Sequence, residues 1–123
     1  LPARPRQHVD GLDLRPVLAE GKALGRSSIF WHFPHYNEHP HSVPSGVIRR
    51  GEWKLIETFD PAGVELYNLA ADLGETRNLA AVELGRTAEL RRELEEWRRA
   101  VGAEMMAPNF QPVQKGKKKK AGK

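Results

Sequence analysis

The sequence predicts an α+β fold: a four-stranded antiparallel sheet with one long C-terminal helix packed on one face. Three observations point there. Between Ser45 and Leu69 the chain reads as three short strand-like runs separated by two turn signals, Gly51-Glu52 and Asp60-Pro61-Ala62-Gly63. Ahead of them, Ser27 to Phe33 alternates, with Ile29, Trp31 and Phe33 on one face and Phe30 and His32 on the other. Behind them, Leu90, Leu94, Trp97 and Val101 form one apolar stripe at helical spacing.

Taken in order, Asp13 is placed to cap a short helix whose apolar side is Leu14, Val17 and Leu18 and which Gly21 ends. Ser27 to Phe33 is the first strand. The loop after it carries Pro34, Pro40 and Pro44, which bar a helix and a central strand. Val47 to Arg50, Trp53 to Phe59 and Val64 to Leu69 are the other three strands. Gly at the first central position of Gly51-Glu52 suits a two-residue type II′ turn, which needs positive φ there. Asp60, Pro61 and Gly63 at positions i, i+1 and i+3 suit a type I turn. Within Trp53 to Phe59, the residues Trp53, Leu55, Glu57 and Phe59 share a face, and Lys54, Ile56 and Thr58 the other. Asp72, Glu75 and Asn78 form turns in the next segment, with Leu73 and Leu79 expected to tuck it against the sheet. The last element is a helix from about Glu83 to Gly102. Its polar side carries Arg91, Arg92, Glu95, Glu96, Arg98 and Arg99, including the i,i+4 pairs Arg92–Glu96 and Glu95–Arg99. Gly102 can end it, and Pro108 bars its continuation.

A chain of 123 residues has room for one domain at most. It divides into an opening segment, 1–25, an α+β unit, 26–107, and a Lys-rich tail, 108–123. The net charge of +4 is unevenly spread. Six of the 20 basic residues follow Pro108, leaving 14 against 16 acidic residues before it. The body is slightly acidic, and the tail, poor in apolar residues and rich in like charges, is expected to be disordered. A lysine run can hold anionic polymers by releasing their counterions. One aromatic residue, Phe110, makes no stacking platform, so specific nucleic-acid recognition is not expected. No window approaches the ~18 apolar residues of a membrane span. The chain has no cysteine, which excludes a disulfide, a thiolate metal site and a cysteine nucleophile. Gly21 to Ser28 has its lysine and glycines in the wrong order for a phosphate loop.

The chemically rich stretch is the loop from Pro34 to Ser45, with His35, Glu38, His39 and His41 and with His32 just before it. Three readings stand. The imidazoles could ligate a metal, although the spacing fits no helical i,i+4 pair and Pro34 and Pro40 splay the side chains. The loop could be plain surface. Or it lines a substrate cleft, since His and Tyr hydrogen-bond the oxygens of a sugar or an anion.

Several motifs carry a family resemblance. RRGEWKLIE, then VELYNLAADLGETRNLA, resembles the C-terminal subdomain of bacterial arylsulfatase-type sulfatases, the formylglycine-dependent enzymes. That family runs R-x-G-x-W-K-L-I, E-L-Y-N-L and a D-x-x-E-x-x-N-L turn before an amphipathic helix. FWHFPHY at Phe30 to Tyr36 is similar to the family's first strand and loop. Asp10, Gly11, Leu14, Pro16, Leu18 and Gly21 match the segment that closes the large catalytic domain. The resemblance covers about Asp10 to about Pro108. It implies a parent enzyme, periplasmic or secreted, that uses formylglycine and calcium to cleave a sulfated substrate such as a polysaccharide. The partner it implies is the N-terminal sulfatase catalytic domain, with residues 1–25 as its end and linker. The loop then helps shape the substrate pocket, with His35 and Tyr36 foremost and His32 next as substrate-binding residues.

The chain departs from the family in two respects. Ser42-Val43-Pro44-Ser45-Gly46 copies the start of the S-x-P-x-R signature, but Gly46 stands where Arg is required. The calcium-holding Asp pair is also missing, so the segment alone is expected to be inactive and free of cofactor. The alternative is a stand-alone module that holds an anionic polymer through the His-rich loop and the Lys tail.

Overall fold

Alternation and turn chemistry set the sheet. In the computed structural model, which describes residues 11–37, 39 and 42–107, four strands follow one another in space as in sequence. They are β1 (Ser28–Phe33), β2 (Ser45–Arg50), β3 (Trp53–Phe59) and β4 (Ala62–Asn68), all antiparallel. A short helix α1 (Arg15–Glu20) precedes them, and a long helix α2 (Leu84–Val101) follows. The four-stranded sheet and C-terminal helix expected from the sequence are present. Asp10, Glu38, Pro40, His41 and the segment from Pro108 onward lie outside the described residues.

The two hairpins differ from each other. Gly51 takes φ 59°, and Glu52 is not in the positive-φ region, as a type II′ turn requires. The second turn is not the expected type I. Phe59 pairs with Ala62, so only Asp60 and Pro61 lie between the strands, and their peptide bond is cis. Pro61 therefore sits at position i+2, the cis-proline place, rather than i+1. β4 accordingly begins at Ala62, two residues earlier than the alternation implied.

On the helix-facing side the sheet is built of cross-strand rows. The middle row is Phe30, Ile48, Leu55 and Leu66. Ile48, Leu55 and Leu66 are fully buried there against Leu90 and Leu94 of α2. The Phe30 and Trp97 rings stack beside them at 4.9 Å, nearly parallel. The row on one side is Ser28, Arg50, Trp53 and Asn68; on the other it is His32, Gly46, Glu57 and Val64. Each flanking row is tied to the helix by charge. Arg50 reaches Glu89 at 2.8 Å and Glu93 at 2.9 Å, and Ser28 also donates to Glu93. Arg86 lies 4.3 Å over the Trp53 ring. Glu57 in turn accepts from Arg91 at 2.8 Å and Arg98 at 2.6 Å.

Arg98 departs from its expected place on the polar side of α2. It is turned inward and 11% exposed, because Gly46 leaves room for its guanidinium. A Cβ at Gly46 would stand 2.5 Å from Arg98 Nη2. Val101, the last residue of the stripe, is exposed instead. Gly102 ends the helix in the left-handed region, and Arg92–Glu96 and Glu95–Arg99 form as exposed pairs at 3.9 and 3.5 Å.

The connection from β4 to α2 closes one edge of the sheet. Asn78 Oδ1 accepts the Leu66 N–H at 3.1 Å, and the Leu79 N–H donates to the Leu66 carbonyl at 2.8 Å. Asp72 accepts the N–H groups of Thr76 and Arg77, while Glu75, at φ 54°, pairs with Lys54 at 2.7 Å. Leu79 packs on the core as expected. Leu73 does not: it is 83% exposed, since the turn points it away from the sheet.

Two apolar surfaces remain uncovered among the described residues. Ile29, Trp31 and Phe33 lie on the sheet face away from α2, and each is more than two-fifths exposed. Helix α1 buries none of its residues, and Leu14 and Leu18 are exposed. Asp13 accepts the Arg15 N–H at 2.9 Å, while Leu14 takes the N-cap place expected of Asp13, and Gly21 ends the helix at φ 63°.

Three outcomes follow. Leu94→Ala removes a fully buried side chain and should cost about 2–5 kcal/mol in urea unfolding, whereas Leu18→Ala should change stability by less than about 0.5 kcal/mol. Gly46→Ala should push the Arg98 guanidinium off Glu57 and cost about 1–3 kcal/mol, with Gly46→Ala/Arg98→Ala recovering part of the loss in a double-mutant cycle. Burial alone would raise the Glu57 carboxyl, but the hydrogen bonds from Arg98 and Arg91 outweigh it and hold the group below its usual value. A depressed folded value means the stabilisation is complete above the ordinary glutamate range, about 4.3, and is lost as pH falls through the folded value. Glu57→Gln should flatten that acid limb in urea midpoints measured against pH.

Candidate functional site

The Glu57 end of the sheet opens into a cleft of about 1290 Å³. Its lining comes from His32 of β1 and the segment after it, the end of β3 with the β3–β4 turn, Arg98 of α2, and residues 104–107 beyond α2. The last of these folds back because the helix is capped at Gly102. The Ala103 N–H donates to the Arg98 carbonyl at 2.9 Å, and the Glu104 carbonyl lies 2.8 Å from His32 Nε2. The cleft is thus assembled by the same two elements, the end of β3 and the end of α2, that the Glu57–Arg98 pair joins.

His32, His35 and Tyr36 all line it, so the three sequence-predicted residues are brought together. Their roles differ. A carbonyl can only accept, so His32 Nε2 carries the proton toward Glu104 and Nδ1 is the acceptor in the neutral ring. Nδ1 is buried without a hydrogen-bond partner, and the ring leans on Phe59 at 5.7 Å. His32 therefore forms wall, with no ring nitrogen turned freely outward. His35 is exposed, its ring edge-on to Phe33 at 5.6 Å. Tyr36 is 63% exposed, and its hydroxyl donates to Asp60 Oδ2. That hydrogen bond, with a smaller contribution from burial, pushes the phenol up, so Tyr36 stays protonated. The bond also ties the loop after β1 to the β3–β4 turn.

Sequence reasoning missed three contributors. The sequence marks Asp60 as a turn residue, yet its carboxylate orients Tyr36. Arg98 lies four residues beyond Leu94, on the edge of the apolar stripe, where a charged residue must find a partner. It finds Glu57, and its guanidinium sits 5.1 Å over the Phe59 ring at the floor of the cleft. Glu104 follows the helix and carried no signal in the sequence. Its carboxylate has no ion-pair partner among the described residues.

Among the described residues no three His, Cys, Asp or Glu side chains are grouped to hold a metal ion. Ser42, which stands at the start of the signature-like run, lies in the loop before β2, its hydroxyl accepting from Asn37 at 2.8 Å. The groups in the cleft are rings and hydrogen-bonding side chains suited to holding a polar molecule. No helix among the described residues is long and apolar enough to cross a membrane.

No family model matches the chain. It is 36% identical over 88 residues to a protein of Formosa agariphila described as a sulfatase, covering 66% of this chain and 16% of that protein. Its fold is similar to the solved structure of BT4656 in complex with its substrate D-glucosamine-2-N,6-O-disulfate. The TM-score is 0.59 at 30% identity, over 74% of this chain and 20% of that one. The chain therefore spans a fifth or less of the length of these relatives. By sequence and by fold, it belongs to the sulfatase family.

Proposed function

We propose that this chain is the small C-terminal subdomain of a sulfatase and lines one side of the substrate pocket of a sulfate-ester hydrolase. The observation that carries the reading is the cleft. His35 and Tyr36 are exposed at one end of the sheet, side by side with Asp60, in a chain with sulfatase relatives. The reacting groups would lie in a catalytic domain elsewhere in the longer protein. The residues in hand do not fit the formylglycine and calcium that the resemblance implies. The chain has no cysteine, its one S-x-P run lacks the arginine, and the described acidic residues form no metal cluster. Those groups belong to the catalytic domain in this reading, and no step of catalysis runs through the present residues.

Two further features support a partner domain. The uncovered row of Ile29, Trp31 and Phe33 has the size and apolarity of a surface meant to be buried. Helix α1, with Leu14 and Leu18 exposed, has nothing of its own to pack on among the described residues. The catalytic domain would cover both, leaving the cleft at its own mouth. In that position Tyr36 and His35 contribute binding and orientation to the substrate, and the Glu57–Arg98 pair holds the floor.

The test is made in the full-length protein. Tyr36→Ala and His35→Ala should each lower kcat/KM for a sulfated saccharide about tenfold, the worth of one polar contact to a bound ligand, with thermal stability unchanged. Turnover at the parent's rate in both variants would sink the substrate-pocket role and leave the subdomain a structural one.

A further inference from the structure

The polar character of the cleft is uneven, and this bears on which part of a substrate it can accept. Its rim holds two carboxylates. Asp60 accepts one hydrogen bond, from Tyr36, which leaves Oδ1 without a partner among the described residues. Glu104 carries its carboxylate exposed and unpaired. The only described Arg or Lys lining the cleft is Arg98, and its Nη2 is committed to Glu57 at 2.6 Å. The two described hydroxyl-bearing residues that line the cleft, Tyr36 and Thr58, already donate their protons, to Asp60 and to the Pro61 carbonyl. Beside the exposed His35 ring, what faces an incoming molecule is therefore acceptor-rich and, with its two carboxylates, negatively charged.

We infer that this cleft receives an unsulfated, donor-bearing sugar ring, one with free hydroxyl or amine groups, and turns away a second sulfate. The inference rests on the pocket-lining role proposed above and deepens it by naming the substrate class. A hydroxyl or an ammonium group can donate to Asp60 and Glu104; a sulfate offers only acceptors and a like charge, and would find no uncommitted Arg or Lys among the described residues that line the cleft. The exposed face of Tyr36 supplies a flat, partly apolar surface for the ring itself. The sulfate ester to be cleaved would then point away from these residues, toward the catalytic domain.

The probes are D-glucosamine and D-glucosamine-2-N-sulfate, which share one ring and differ in a single sulfate. The full-length protein is labelled with 13C in its histidine rings, and the His35 signal is assigned by its loss in His35→Ala. D-Glucosamine should move the His35 signal at a half-saturating concentration at least about tenfold below that of the N-sulfate. The double variant Asp60→Asn/Glu104→Gln, conservative at two exposed positions, should close most of that gap. Equal half-saturation of the two probes, a preference for the N-sulfate, or no response to D-glucosamine would each overturn the inference. So would a gap that survives both carboxylate substitutions. Turnover by Tyr36→Ala decides the underlying reading separately: loss of activity there with no gap between the probes would leave the pocket role standing and the selectivity refuted.

Discussion

The fold depends on how one helix is held across one sheet. The apolar row of Ile48, Leu55 and Leu66 meets Leu90 and Leu94, and this contact supplies most of the burial. An apolar contact alone is non-directional and would tolerate a helix rotated or shifted along the sheet. The charges on either side remove that freedom. Arg50 on the sheet faces glutamates of α2, and Glu57 on the sheet faces arginines of α2. Reversing the helix would set like charges against each other, and sliding it by a turn would take both arginines away from Glu57. Orientation is thus decided by two ionic clusters of opposite sense, and adhesion by the row between them.

The cleft is a by-product of the second cluster. Arg98 reaches Glu57 because Gly46, between His32 and Glu57 in the cross-strand row, has no side chain to block it. The end of α2 is thereby drawn to the end of β3. The chain beyond Gly102 then passes along β1, where the Glu104 carbonyl meets His32. A residue that serves helix docking, a glycine that admits it and a histidine that catches the returning chain together set the depth of the cleft. The side chains left at its rim are those of the loop after β1 and the β3–β4 turn, where exposure leaves them available for a ligand.

Much of this was legible in the residues. The alternation of Ser27 to Phe33 and of Trp53 to Phe59 named the correct faces, because a period of two leaves little choice once one side is apolar. The stripe of Leu90, Leu94 and Trp97 named the buried side of the helix for the same reason. His32, His35 and Tyr36 were found as a group because they are close in sequence, and the structure keeps them in one cleft. What escaped was long-range or conformational. The Glu57–Arg98 pair joins residues 41 apart, and local pattern cannot announce such a partner. The pairing of Phe59 with Ala62, which leaves only Asp60 and Pro61 in the turn, is not written in those two letters. Hydrophobicity points Leu73 inward and helical spacing points Val101 inward, but neither obliges a side chain to be buried.

The closed edge of β4 has a consequence for how the sheet meets other chains. Asn78 and Leu79 occupy the N–H and carbonyl of Leu66 that would otherwise invite another strand. β1, at the opposite end of the strand order, has no strand on its outer side among the described residues. Edge-to-edge association, the usual hazard of an open sheet, is thereby confined to one flank. That flank is the one bearing Ile29, Trp31 and Phe33, so lateral stacking of copies and burial of the apolar face compete for the same strand. Whatever covers β1 would act at once as a neighbour and as a guard against self-assembly.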